Sequence, residues 1–142
     1  MYKKIICMVI LLISICSCAS IANAAITASD YINGYNAHIN NDTSKTIEVV
    51  FTVTSPDYMD LLGAKTIILQ EKATGSTKWE PVETYNYKTD PAMLKENART
   101  YDYSVFYYDA VPGYSYRAKV YFYAEKGGSD TIEYITPAKT AK

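Results

Sequence analysis

The chain has 142 residues, with 14 basic and 15 acidic side chains, one histidine and three cysteines. This length predicts one domain, and the near balance of charge argues against nucleic-acid binding, which needs a concentrated positive surface. Tyrosine is the unusual component, because there are 15 tyrosines against three phenylalanines and one tryptophan.

The N-terminus has the pattern of an export signal. Two lysines precede an apolar run over residues 5–13, and small residues follow as far as Ala22 and Ala24. A basic start, a short apolar segment and an A-x-A site are typical of a secretory signal peptide. The sequence therefore predicts a signal-peptide helix over 1–24 and a single mature domain over 25–142.

Two forms of export remain open. Cleavage after Ala24 would secrete the mature domain from the cell. The segment Ile15-Cys16-Ser17-Cys18 also resembles a bacterial lipoprotein box, in which Cys18 would carry the lipid and anchor the protein at the cell surface. No second long apolar segment follows, so no transmembrane span is expected in the mature chain.

Cleavage after Ala24 would also remove all three cysteines, Cys7, Cys16 and Cys18. The mature domain would then have no disulfide, no thiolate metal ligand and no cysteine nucleophile. It would keep 12 basic and 15 acidic residues, a net charge of −3. An exported domain held by packing alone is more typical of bacteria than of small secreted animal proteins.

Short segments that alternate between apolar and polar residues follow along the mature chain, separated by turn residues. Strands are predicted over 35–40, 46–54, 65–72, 78–87, 100–109, 114–125 and 131–136. Between the second and third strands, Ser55-Pro56-Asp57 and Gly63 carry the capping signals of one or two helical turns. Asp90-Pro91 predicts another helical turn over 91–97, and the tail from Pro137 is expected to fray.

The strand over 114–125 has the clearest alternation. The residues expected to face the core are Tyr116, Ala118, Val120, Phe122 and Ala124. Those expected to face outward are Arg117, Lys119, Tyr121, Tyr123 and Glu125. The facing of the strand over 100–109 stays open, because Tyr101, Tyr103, Val105 and Tyr107 compete with Phe106 and Tyr108 for the core.

Seven short strands and no long helix predict an all-β fold, an antiparallel sandwich of two sheets. Residues 110–120, Ala-Val-Pro-Gly-Tyr-Ser-Tyr-Arg-Ala-Lys-Val, resemble the E–F corner of fibronectin type III domains, with Pro112-Gly113 as its turn. The resemblance implies that Tyr116 anchors the corner and that its hydroxyl bonds to the backbone a few residues upstream. Phe51 stands where that family usually carries a tryptophan.

Two further segments carry the same resemblance. Residues 65–82, with Trp79 near the start of the returning strand, are similar to the C–C′ hairpin of that family, and Gly127-Gly128-Ser129 resembles its F–G turn. As a whole, the chain resembles a family of small, exported, uncharacterised bacterial proteins with immunoglobulin-like domains. That resemblance implies no activity.

The sequence offers little for catalysis. His38 is the one histidine, and it is expected to be a solvent-exposed strand residue rather than the base of a Ser-His-Asp set. One histidine and no mature cysteine make zinc binding a poor fit, and no calcium loop or phosphate loop is present. We therefore expect neither an enzyme, nor a metal, nor a cofactor.

The outward residues of the strand over 114–125 are the candidate binding surface. Tyr121 and Tyr123 beside Arg117 and Lys119 suit contact with a protein or a sugar, but outward tyrosines also arise as cross-strand packing. Two roles remain open for Trp79: it could form a wall of the core, or it could be an exposed residue that stacks on a sugar. Two functions follow: contact with an extracellular or cell-surface protein, or binding of a polysaccharide or cell wall.

Overall fold

The computed structural model describes residues 29–41 and 45–142. The expected signal helix, its cleavage residues Ala22 and Ala24, and Cys18 lie outside the described residues. The domain has the following strands: β1 (Gly34–Asn40), β2 (Ile47–Lys72), β3 (Glu80–Asn86), β4 (Leu94–Tyr107), β5 (Ser115–Glu125), β6 (Ser129–Ile135) and β7 (Lys139–Thr140). A 3₁₀ turn, Pro91–Met93, precedes β4. Along this described part of the chain, no helix has the length and apolar character needed to cross a membrane.

β2 is 26 residues long and pairs with four other strands, always antiparallel. Residues 47–54 of β2 lie between β1 and β4, and residues 66–71 lie between β3 and β5. β6 and β7 both pair with β5. The domain therefore has a first arm, β1-β2-β4, and a second arm, β3-β2-β5-β6, which share β2. The expectation of an all-β, antiparallel fold is confirmed.

Aromatic contacts between the two arms form part of the core. The Phe122 ring of β5 lies 5.9 Å from Phe51 of β2 and 5.4 Å from Tyr35 of β1, measured between ring centroids. The alternation predicted for β5 is confirmed, because all five of its inward residues are fully buried. Burial of this apolar surface is the main force that holds the arms together.

The helical turns predicted after Thr54 are absent, because β2 continues through this segment. Its register against β4 shifts between Thr54 and Met59. The Ser55 hydroxyl does not cap a helix; it is buried, and its Oγ lies 2.6 Å from the Asp57 carbonyl oxygen. Local capping signals gave the wrong prediction here because pairing with β4 and β5 decides the conformation.

The other two irregular segments also differ from expectation. Only Pro91–Met93 forms a 3₁₀ turn, and the chain is extended from Leu94 because β4 begins to pair with β2 there. The C-terminal tail is not frayed at its end. β7 pairs with Ser115 and Tyr116, and the buried Ala141 donates its N–H to the Tyr114 carbonyl at 2.8 Å.

Gly63 is a close-contact position rather than a helix cap. It lies within β2, where it pairs with Leu94 of β4 and Tyr123 of β5. A Cβ atom at this position would lie 2.1 Å from the backbone oxygen of Met93. The backbone of the 3₁₀ turn therefore passes too close to β2 for any side chain.

We expect Gly63→Ala to lower the free energy of unfolding by at least about 2 kcal/mol, because the backbone at Met93 must move to admit the methyl group. Urea unfolding measures the change. Gly75→Ala is the control: Gly75 has a φ of +79° and nothing within 4 Å of its Cβ position, so its cost should stay near the ~1 kcal/mol of a left-handed alanine. Equal costs for the two variants would contradict the close-contact explanation.

Candidate contact surface

The outward residues of the second arm form one continuous surface, which we call the outer face. Side chains along β2, β5 and β6 point alternately toward the core and away from it. The side chains that point away from the core form the outer face. The register places Thr66, Ile68, Gln70 and Lys72 of β2 beside Tyr121, Lys119, Arg117 and Ser115 of β5. The β6 residues Thr131, Glu133 and Ile135 lie next to Tyr123, Tyr121 and Lys119.

Trp79 lies over one end of the outer face. The Arg117 guanidinium carbon is 4.4 Å from the Trp79 ring centroid, and the Lys72 ammonium is 5.0 Å away. Arg117 Nε donates to Gln70 Oε1 at 2.8 Å, which fixes the guanidinium above the ring. Trp79 is half-buried and lies outside the buried core cluster, so it is not a wall of the core. The nearby cations also keep it from being an open stacking platform.

Lys65 lies at the other end of the outer face. The pairing of β2 with β5 shifts register between Ala64 and Thr66. The Lys65 ammonium sits 3.3 Å from the centroid of the Tyr123 ring and 5.9 Å from that of Tyr87. The bulge thus directs Lys65 onto aromatic rings.

Tyr123 was one candidate for contact with a partner, with cross-strand packing as the alternative, and the structure shows its ring to be buried. It occupies an outward position of β5, but it is only 5% exposed. The Lys65 ammonium covers the ring, and the Tyr123 hydroxyl donates to the Glu125 carboxylate. The alternation of β5 indicated the direction of this side chain, but not the lysine that folds over it.

Lys119 and Tyr121 share one carboxylate in the middle of the outer face. The Lys119 ammonium is 3.5 Å from Glu133 Oε1. The pKa of Tyr121 is raised, first by burial and then by the neighbouring Glu133 carboxylate. Both side chains are half-buried. Ile135, opposite Lys119 on β6, is 41% exposed and gives this region an apolar rim.

Three cations of the outer face lie against aromatic rings rather than carboxylates: Lys65, Lys72 and Arg117. Among the described residues, none of them has a carboxylate oxygen within 4 Å. A ring fixes the position of a cation without neutralising its charge. The outer face therefore holds cations on aromatic rings at both ends, with the Glu125 carboxylate bound to the Tyr123 hydroxyl at the Lys65 end.

Tyr116 holds the corner before β5. It is fully buried, its hydroxyl accepts the Val111 N–H at 2.8 Å, and it donates to Glu71 Oε2 at 3.0 Å. The turn at Pro112 and Gly113 is held by Thr74 Oγ1, which donates to the Gly113 carbonyl at 2.8 Å. The bond to Glu71 ties this corner to β2.

Sequence reasoning missed one exposed aromatic cluster. Phe106 and Tyr108 are 44% and 68% exposed, and their rings stack with centroids 6.3 Å apart. Tyr101, Tyr103 and Tyr107 instead pack against the core. They are therefore the residues of β4 that face inward, which the sequence left undecided. Val105 between them is also buried. The sequence signal for this cluster was that aromatic residues occupy both odd and even positions of the strand, so some of them had to face outward.

An open groove of about 520 Å³ is lined by Asp60, Tyr123, Glu125 and residues 127–129. No group of three or more histidine, cysteine, aspartate or glutamate side chains with metal-binding geometry is present in this part of the chain. His38 is exposed on β1, as expected.

No family model and no curated protein matches the chain. Among solved structures, the sporulation control protein Spo0M from Bacillus subtilis has 7% sequence identity and a TM-score of 0.39, over 74% of this chain and 49% of Spo0M. A protein from Archaeoglobus fulgidus has 10% identity and a TM-score of 0.35, over 78% of this chain and 98% of its own. The chain thus spans about half the length of Spo0M. Neither similarity assigns a family or a function.

We expect Tyr116→Phe to lower the free energy of unfolding by about 1–2 kcal/mol, because it removes one hydroxyl that serves both the Val111 N–H and the Glu71 carboxylate. Chemical denaturation measures the change. Tyr108→Phe removes a hydroxyl from a side chain that is 68% exposed, and should stay within about 0.5 kcal/mol of the wild type. A Tyr116→Phe variant as stable as that control would show that the corner hydroxyl contributes nothing.

Stability should fall at alkaline pH. Burial, the largest cause, raises the pKa of Tyr116 to about 12 from an ordinary value of 10.0. The folded state then holds this proton more tightly than the unfolded state, so the stabilisation is complete below about pH 10 and is lost as the pH approaches 12. Denaturant midpoints across this range should decline less steeply for Tyr116→Phe. Parallel declines in the two proteins would contradict the assignment to Tyr116.

Proposed function

We propose that this chain is an exported, non-catalytic domain that acts by contact with another protein at or outside the cell surface. The outer face is the observation that carries the proposal. It combines a half-buried apolar centre around Ile68 and Tyr121 with the exposed Ile135 and with cations held in place at both ends. Rigid aromatic and arginine side chains around an apolar centre are typical of protein interfaces.

The same proposal includes an immunoglobulin-like sandwich of the fibronectin type III kind. In such folds strands A, B and E belong to one sheet, and C and F to the other. If β2 serves as B and then as C, the first arm corresponds to A-B-E and the second to C′-C-F-G. The Tyr116 hydrogen bond to Val111 supports this correspondence, because it lies at the E–F corner.

Export completes the proposal. The basic start, the apolar run and the residues Ala22 and Ala24 support secretion of the mature domain. Anchoring through a lipid on Cys18 is the alternative form. In both forms the outer face would meet extracellular or cell-surface partners.

Binding of a polysaccharide or cell wall is the second candidate. The observation in its favour is that Trp79 and Tyr121 lie on the same face, both half-buried. A sugar platform needs two or three open, coplanar rings. Since Tyr123 is covered by Lys65 and Trp79 lies beneath Arg117, protein contact is the better supported function.

We expect the purified chain to bind saturably to the surface-protein fraction of its own cells and not to cell wall or insoluble polysaccharides. Lys119→Glu combined with Arg117→Glu should weaken that binding at least about tenfold, because it reverses two charges of the interface. Co-sedimentation measures both. Tyr108→Ser, in the other exposed cluster, is the matched control and should bind as the wild type does. Pelleting with polysaccharide alone, competed by soluble sugar, would contradict protein contact.

A further inference from the structure

We infer that the outer face binds an extended, acidic polypeptide segment of its partner. This inference rests on the proposed function, whose partner it specifies by chemistry. The observation is the set of three cations, Lys65, Lys72 and Arg117, that lie against rings and have no carboxylate within 4 Å among the described residues.

Carboxylates pair with two cations that lie outside the outer face. Lys78 pairs with Glu80 at 2.9 Å, and Lys126 pairs with Asp57. On the outer face only Lys119 is paired in this way, with Glu133. The outer face thus carries four cations, Lys65, Lys72, Arg117 and Lys119, against the carboxylates of Glu125 and Glu133. This local excess of positive charge, on a chain whose net charge is −1, complements an acidic partner.

The spacing of these cations suits an extended segment. Lys65 and Lys72 are separated by seven residues of β2, a distance of about 23 Å along a strand. Arg117 lies across from Gln70, next to Lys72, so charge is present at both ends of this track. A partner segment of about seven extended residues, with acidic side chains near its two ends, matches the length.

The middle of the track favours a polypeptide over a uniformly charged polymer. Ile68 and Tyr121 are half-buried there, and the one carboxylate, Glu133, is paired with Lys119. An evenly charged polyanion would bring charge against Glu133 and the apolar side chains. A polypeptide can place an apolar or neutral residue at the centre and carboxylates at the ends.

The test uses poly-glutamate as the acidic polypeptide probe. Binding to poly-glutamate beads should be saturable and weaken with salt, and free poly-glutamate should change the fluorescence of Trp79, the one tryptophan of the chain. Lys72→Gln combined with Arg117→Gln should weaken binding to the beads about tenfold, the equivalent of two solvent-accessible ion pairs. The matched control is Lys95→Gln combined with Lys139→Gln, two exposed lysines on β4 and β7. It makes the same change in net charge and should bind within about twofold of the wild type.

Each other result overturns the inference. No binding to poly-glutamate at low salt, or equal losses in the two double variants, would show that the ring-held cations recognise nothing. If polyphosphate or polygalacturonate binds as tightly as poly-glutamate, the outer face does not select a polypeptide, and the inference is wrong. If the surface-protein fraction still binds while poly-glutamate does not, this inference fails and the proposed function stands. If the surface-protein fraction does not bind, the proposed function itself fails.

Discussion

A single continuous strand must serve both arms of this domain, and the rest of the structure depends on how it does so. β2 provides hydrogen-bond partners for β1, β3, β4 and β5. Residues 48–54 pair with β1 and β4, and residues 66–71 pair with β3 and β5. Register shifts after Thr54 and after Ala64 separate these two stretches. Gly63 lies between these shifts, where the close approach of Met93 excludes a side chain.

The irregularity that joins the arms also shapes the surface. A strand in perfect register would continue its alternation, but the shift after Ala64 directs Lys65 outward, onto Tyr123. One irregularity of the backbone thus has two results. Ala64 is fully buried, and the ammonium of the next residue, Lys65, covers the Tyr123 ring. Bulges commonly re-aim a side chain in this way, and here the re-aimed side chain supplies one end of the outer face.

The sequence predicted those parts of the molecule that depend on local alternation. The inward residues of β5 follow from period two alone, because one face is fully buried. The helical turns failed because Ser55-Pro56-Asp57 and Asp90-Pro91 are true turn signals locally, but pairing with distant residues outweighs them. The burial of Tyr123 and the position of Trp79 depend on Lys65, Lys72 and Arg117, which only the fold brings close. No periodicity contains that information.

The way these cations are held decides what the outer face can do. A carboxylate would fix Arg117 as well as the Trp79 ring does, but it would cancel the charge and fill the hydrogen-bonding groups. A ring leaves the charge in place and still restricts the side chain, so less conformational entropy is lost when a partner binds. These cations are half-buried and still reach solvent, so each ion pair with a partner stays sensitive to salt. Such a face favours fast, selective and reversible association with an acidic partner rather than permanent assembly.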